Sequence, residues 1–290
     1  MPWSSIAISG FEMGSMYSLL ALGFYVTYAV SQTVNFSQGS SMMLGAVLTY
    51  VMAETLGLSM ALSIVLALVG CLIWGLIVER FVVRPFAKNG SNTWLMSTVA
   101  IGIVLENIVM FTYGREPRSL PSPLAINSIE IAGLGVYPQQ LLIPVVTLLI
   151  VLVITLASHY TKHGRAMLAI VQNPNAAKLM GINVKKAIAF TYALSTVLAG
   201  IAGILIAPLF NVSADMGTIF GIKAFAIAVL GGISSCSGVI VAGLCYGLAE
   251  AFITAEFGSS YTDILIFSLI ILVLALKPNG LFGREGVKKV

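Results

Sequence analysis

The sequence is short of charge. Only 9% of its 290 residues are Asp, Glu, Lys or Arg, where an ordinary soluble domain carries roughly a quarter. A soluble fold of this length needs a polar shell, and so little charge cannot build one. Cysteine is scarce too: Cys71, Cys236 and Cys245 all lie in apolar stretches. They read as small buried side chains rather than as a disulfide or metal framework. The N-terminus lacks the basic region of a cleavable signal, with Trp3 and Glu12 where that pattern would run, so the first apolar segment is expected to be a permanent span. No Gly-x-x-x-x-Gly-Lys-[Ser/Thr] phosphate loop occurs, which excludes ATP binding of that kind. No paired acid, base or nucleophile stands out for an intramembrane enzyme. His159 and His163 have a spacing that could hold a metal on a helix. No HEXXH pattern, carboxylate or cysteine accompanies them, and interfacial histidines at a helix C-terminus are the plainer reading.

What the chain has is apolar length. Mean hydropathy is +1.00, and the 58% of apolar residues come in long runs rather than in alternation. This favours an all-α integral membrane protein over a barrel, whose strands alternate lipid-facing and lumen-facing side chains. About eight spans are expected within a single transmembrane domain covering residues 1–290. They lie near 5–29, 40–56, 60–79, 93–113, 139–159, 187–209, 218–253 (as two short, broken segments) and 261–277. One member of the pair around Gly231 and Gly232 could be re-entrant.

A pI near 9.0 could suggest nucleic acid, but the basic residues collect in loops, as orientation signals do. One group is Arg80, Arg84 and Lys88. A second is Lys162, Arg165, Lys178, Lys185 and Lys186, and a third is Lys277, Arg284, Lys288 and Lys289. The positive-inside rule puts these in the cytoplasm, the N-terminus outside and the C-terminus inside. Residues 114–138, with Pro117, Pro121, Pro123 and Pro138, then form an external loop with little helix. Trp94, Tyr113 and Tyr137 fit interfacial anchors.

The cytoplasmic stretch 163–186 holds the sharpest local signal. Asn173 followed by Pro174 is an N-cap and first helical position, and Gly181 suits a left-handed C-terminal cap. The helix between them would be about seven residues, roughly 10 Å long, and would expose Ala176, Ala177, Leu179 and Met180. Such a peg could dock in a cleft on another protein; it could also simply close a connection.

Ionisable groups inside a bilayer usually face a cavity or a partner. Glu106, Glu250 and Lys223 lie in apolar segments, and Glu12 and Asp263 lie nearer the external ends. Glu106, Glu250 and Lys223 either line a path for a zwitterion or pair with each other or with a partner subunit and hold helices together, and pairing is the favoured reading. The polar stretch Asn35–Ser41, including Ser37, Gln38 and Ser40, and the small-residue stretch 231–238, with Gly231, Gly232, Ser234 and Ser235, are the better cavity candidates. Ordinary interfacial loops are the alternative. Gly14, Gly70, Gly75, Gly200, Gly203, Gly243 and Gly247 read as sites of close helix packing.

Five motifs in order resemble the branched-chain amino acid permease family of ABC importers, in its LivH branch. They are Asn35-Phe-Ser-Gln-Gly39 with Met42-Met-Leu-Gly-Ala46; Glu79-Arg80 with Arg84-Pro85; and Gly164-Arg165-Ala166 with Asn173, Ala176-Ala177, Leu179 and Gly181-Ile182. The others are Lys223-Ala-Phe225 with Ala228-Val-Leu-Gly-Gly232, and the closing Lys277-Pro-Asn-Gly-Leu-Phe-Gly283. Ser37, Gln38 and Val47 depart from the family's usual residues.

The resemblance implies a transport subunit rather than an enzyme, in a bacterial inner membrane. It implies that residues 163–186 are the coupling-helix region. It also implies a second, LivM-type permease subunit, two cytoplasmic ATPase subunits and a periplasmic solute-binding protein. ATP and Mg would sit on the ATPases, with no cofactor on this chain, and lipid would surround it. The cargo would be branched-chain or related amino acids; urea, amides or aromatic acids are the alternatives. A self-sufficient channel or ion-coupled transporter is the competing class.

Overall fold

The computed structural model describes residues 3–87, 92–131 and 134–283. Lys88, Arg284, Lys288 and Lys289 lie outside these residues. The described chain is helical apart from one small hairpin. Its helices are α1 (Trp3–Ser31), α2 (Gln38–Tyr50), α3 (Met60–Ile77), α4 (Arg84–Ala87), α5 (Thr93–Thr112), α6 (Pro123–Ile126) and α7 (Pro138–Tyr160). They continue as α8 (Lys162–Gln172), α9 (Pro174–Leu179), α10 (Val184–Ile206), α11 (Met216–Gly231), α12 (Cys236–Phe257) and α13 (Ser259–Leu276). One π-helical turn, Val51–Thr55, extends α2, and another, Val78–Val83, joins α3 to α4.

Among the described residues, seven helices are long and apolar enough to cross a membrane: α1, α3 with its extension to Ala87, α5, α7, α10, α12 and α13. The chain is thus a multi-pass membrane protein, with fewer full-length spans than the sequence suggested. The segment near 40–56 is broken: α2 has 13 residues, and the π turn follows. Its first residues, Gln38–Met43, are all buried. Of the pair within 218–253, only α11, at 16 residues, is short, whereas α12 runs for 22.

Burial sorts the helices. In α1 72% of the most apolar stretch is inside the bundle and in α10 67%, against 11% in α7 and 17% in α13. The first two therefore form the middle, and the last two face outward. Lipid tails are as apolar as leucine, so close packing rather than water exclusion must hold such a bundle. The glycines supply it. A Cβ added at Gly14 would stand 2.9 Å from the Gly243 carbonyl oxygen, and one at Gly10 would stand 2.9 Å from the Leu248 Cα. Gly247 lies against the backbone of Gly14, and Ser18 Oγ donates to the Ile240 carbonyl at 3.0 Å. Rising numbers on α1 meet falling numbers on α12, so the two run antiparallel along one small-residue seam. Gly45 and Gly200 make the same kind of contact between α2 and α10, with a Cβ-to-Cα approach of 2.5 Å, and Gly203 lies against the Met42 carbonyl. Gly75 meets the α10 backbone at Ala193, whereas Gly70 touches only the Leu48 side chain.

The 114–138 segment carries more order than expected. It holds α6 and an antiparallel hairpin, β1 (Ile129–Ile131) with β2 (Leu134–Val136). Arg118 and Val212 form a backbone bridge. Tyr113 is buried beneath Arg118, whose guanidinium carbon lies 4.6 Å from the ring centroid. It therefore helps organise this loop from within. Cys71 is buried as expected, but Cys245 is exposed.

Candidate functional site

The peg at α9 is built as the sequence indicates. Asn173 Oδ1 accepts from the Asn175 and Ala176 amides at 3.0 Å each, satisfying two N-terminal donors. Pro174 stands at the first helical position, where a missing N–H costs nothing. At the other end Gly181 has φ +82. The Ile182 amide donates to the Ala177 carbonyl and the Gly181 amide to that of Lys178, each at 3.0 Å. This pair of bonds is a Schellman motif. Six residues are thus fixed at both ends.

The faces of α9 differ from expectation at one residue. Leu179 and Met180 are 89% and 83% exposed, and Ala176 is exposed as well, but Ala177 is 3% exposed. Ala177 packs with Ile170 and Val184 over Val30, Ile182 and Ile188. It joins the peg to the body, and the free tip is Leu179–Met180. Gly164 is buried beside the Ala157 carbonyl and Arg165 is exposed, so α8 folds back tightly beneath α7. Thr161 Oγ1 caps that turn by accepting from the Gly164 amide at 2.9 Å. His159 and His163 both border a cleft of about 370 Å³ between the ends of α1, α7 and α10.

The membrane-depth candidates separate into distinct places. Glu106, on α5, faces the first turns of α2 and α11. Ser40 Oγ donates to its Oε1 at 3.1 Å, and Thr218 Oγ1 lies 2.8 Å from Oε1 and 2.9 Å from Oε2. These groups border a crevice of about 240 Å³ with Phe24, Phe36 and Phe225 on its walls. Glycines bring its sides together: a Cβ on Gly39 would collide with the Gly217 carbonyl, and one on Gly102 would stand 2.9 Å from Ser40 Oγ.

Gln38 lies elsewhere. Its Nε2 donates to the Ser195 carbonyl at 3.0 Å, and its Oε1 accepts from Ser195 Oγ at 2.8 Å. It locks α2 to α10 and borders none of the described cavities. Asn35 Oδ1 accepts from Ser37 Oγ at 2.7 Å and from its amide at 3.2 Å, an Asx turn that sets up the start of α2. Glu250 and Lys223 are paired, Nζ to Oε1 at 2.5 Å, and Lys223 reaches Asp263 Oδ1 at 2.9 Å. Lys223 on α11 thus bridges Glu250 on α12 and Asp263 on α13.

A profile of the family described as "branched-chain amino acid transport system / permease component" matches residues 6–274. The chain belongs to that family. The permease is 32% identical to the high-affinity branched-chain amino acid transport system permease protein LivH of Salmonella typhimurium, over 97% of this chain and 96% of that one. It is 33% identical to the BraD permease protein of Pseudomonas aeruginosa, over 98% and 96%. Among solved structures, PsaBC from Streptococcus pneumoniae in complex with Fab shares the fold. The TM-score is 0.53 at 14% identity, covering 97% of this permease and 94% of that chain.

In this permease Gly231, Gly232, Ser234 and Ser235 line none of the described cavities, and the stretch 231–238 meets the cleft beside His159 and His163 through Cys236. Gly231, Gly232, Ser234 and Ser235 form the turn from α11 to α12, with Gly232 at φ +86 and Ser235 Oγ capping α12 through the Gly238 amide. The closing motif covers the turn: the Leu281 amide donates to the Leu230 carbonyl at 2.7 Å, and Gly283 lies against Gly232. Sequence reasoning missed Thr218 and the aromatic walls of the Glu106 crevice. The spacing Gly217-x-x-x-Gly221 was the available sign that α11 meets another backbone there.

Proposed function

We propose that this chain is one permease subunit of an ATP-driven importer for branched-chain or related amino acids. The supporting observation is α9, capped at both ends, with Leu179 and Met180 held out from the body. A rigid apolar tip beside Lys178, Lys185 and Lys186 suits docking into a cleft on an ATPase subunit. On this reading the basic clusters and the C-terminus lie in the cytoplasm and the N-terminus lies outside. A second permease subunit completes the passage, two ATPases grip the two pegs, and a periplasmic binding protein delivers the solute.

Transport follows from alternating access. Closure of the ATPase dimer moves the pegs, and the short, glycine-crossed helices α2 and α11 change their approach to α5. Nucleotide can shift this equilibrium only by binding one state better than the other.

The test is uptake of radiolabelled leucine into liposomes, with this chain alone and with its assembled complex. Uptake only by the complex and only with ATP supports the reading. Leucine flux through the isolated chain, indifferent to ATP, refutes it.

A further inference from the structure

Glu106 differs from Glu250, Asp263 and Glu79, and unlike Glu12, which is buried on α1 beside Gln140, it borders a crevice. Glu250 and Asp263 share Lys223, and Glu79 has Arg84. Among the described residues Glu106 has no cationic partner within ion-pair distance, only the hydroxyls of Ser40 and Thr218. It stands on the last third of α5, in the lining of a crevice that also includes Ile103 and Ile222, both more than half exposed. The walls are apolar and aromatic: Phe24, Phe36, Val99 and Phe225. The two hydroxyls hold the carboxylate in place and leave lone pairs free, since an ionised carboxylate offers about four acceptor sites.

We propose that this crevice is a transient subsite of the transport path. Glu106 receives the ammonium group of an amino-acid solute, and the aromatic walls receive its apolar side chain. The complementarity is one negative charge and greasy walls against one positive charge and a hydrocarbon branch. The assignment deepens the importer reading and rests on it for the identity of the solute. A single carboxylate, already sharing its oxygens with two hydroxyls, holds an ammonium ion loosely enough to let it leave.

The experiment uses the purified transporter complex and 3-methylbutylammonium, the amine that remains when leucine loses its carboxylate. Infrared difference spectra on adding the amine should show a carboxylate band shift in the wild type and none in Glu106→Gln, with Glu106→Asp retaining a shifted band. Leucine uptake by Glu106→Gln should fall at least tenfold at a wild-type yield of assembled complex, and Glu106→Asp should restore part of it. No band shift in the wild type, or undiminished uptake by Glu106→Gln, overturns the subsite. Wild-type complex that binds the amine through Glu106 but fails to import leucine overturns the importer reading and leaves a cation site.

Discussion

Arg84 grips Glu79 with two parallel hydrogen bonds, Nε to Oε1 at 3.0 Å and Nη2 to Oε2 at 2.9 Å. The Glu79 side chain is only 4% exposed and that of Arg84 28%. Both lie where α3 passes through its π turn into α4, so the pair clamps an irregular stretch of backbone. Removing Arg84 strands a buried carboxylate, whereas removing the charge of Glu79 leaves an arginine that water can reach. Arg84→Ala should therefore cost about 3 kcal/mol, and Glu79→Gln clearly less. Thermal unfolding in detergent checks the order, and Arg84→Lys should fall between, because an ammonium cannot form the fork.

The pair Lys223–Glu250 lends itself to a double-mutant cycle. Lys223→Met leaves Glu250 with an uncompensated charge between α11 and α12. Glu250→Gln leaves Lys223 with Asp263, whose side chain is 64% exposed. Lys223→Met should lower the yield of folded protein more than Glu250→Gln does. The double variant should recover much of the loss, because it removes both charges together. Size-exclusion yield at matched expression measures this.

On α9, Leu179→Asp and Met180→Asp should leave the protein folded and in the membrane but abolish copurification of the ATPase subunits. Ala177→Asp should instead destabilise the chain itself, because it places a charge against Ile170 and Val184. Asn173→Ala removes the acceptor of two amides and should cost about 1 kcal/mol, seen as faster hydrogen exchange confined to 174–180.

The seam between α1 and α12 predicts a contrast between glycines. Gly14→Leu has no room against Gly243 and Leu244, and it should prevent a stable fold. Gly181→Ala meets no atom within 4 Å, so its cost is only that of a left-handed alanine, about 1 kcal/mol. Thermal unfolding of both variants separates contact from conformation.

Much of this was legible from the sequence. Long apolar runs gave the helical membrane class, and the Asn173-Pro174 and Gly181 signals located the caps of α9. Facing was not legible. A six-residue helix is too short for periodicity to say that Ala177 turns inward while Leu179 turns out. Gln38 and Ser40 sit two residues apart, yet one locks to α10 and the other reaches Glu106, because α2 is buried on several sides. The partner of Lys223 also depended on how α11, α12 and α13 meet, which no local pattern encodes.

The hydrogen bond from the Leu281 amide to the Leu230 carbonyl orders events during synthesis. The bend at Gly232 cannot be latched when it leaves the ribosome, because its clasp follows two whole helices later. Until then α11 and α12 must be held by their contacts with α1, α2 and each other. An affinity tag or fluorescent fusion spliced between Lys277 and Gly283 would therefore act as a wedge in the latch, and handles for purification belong beyond it.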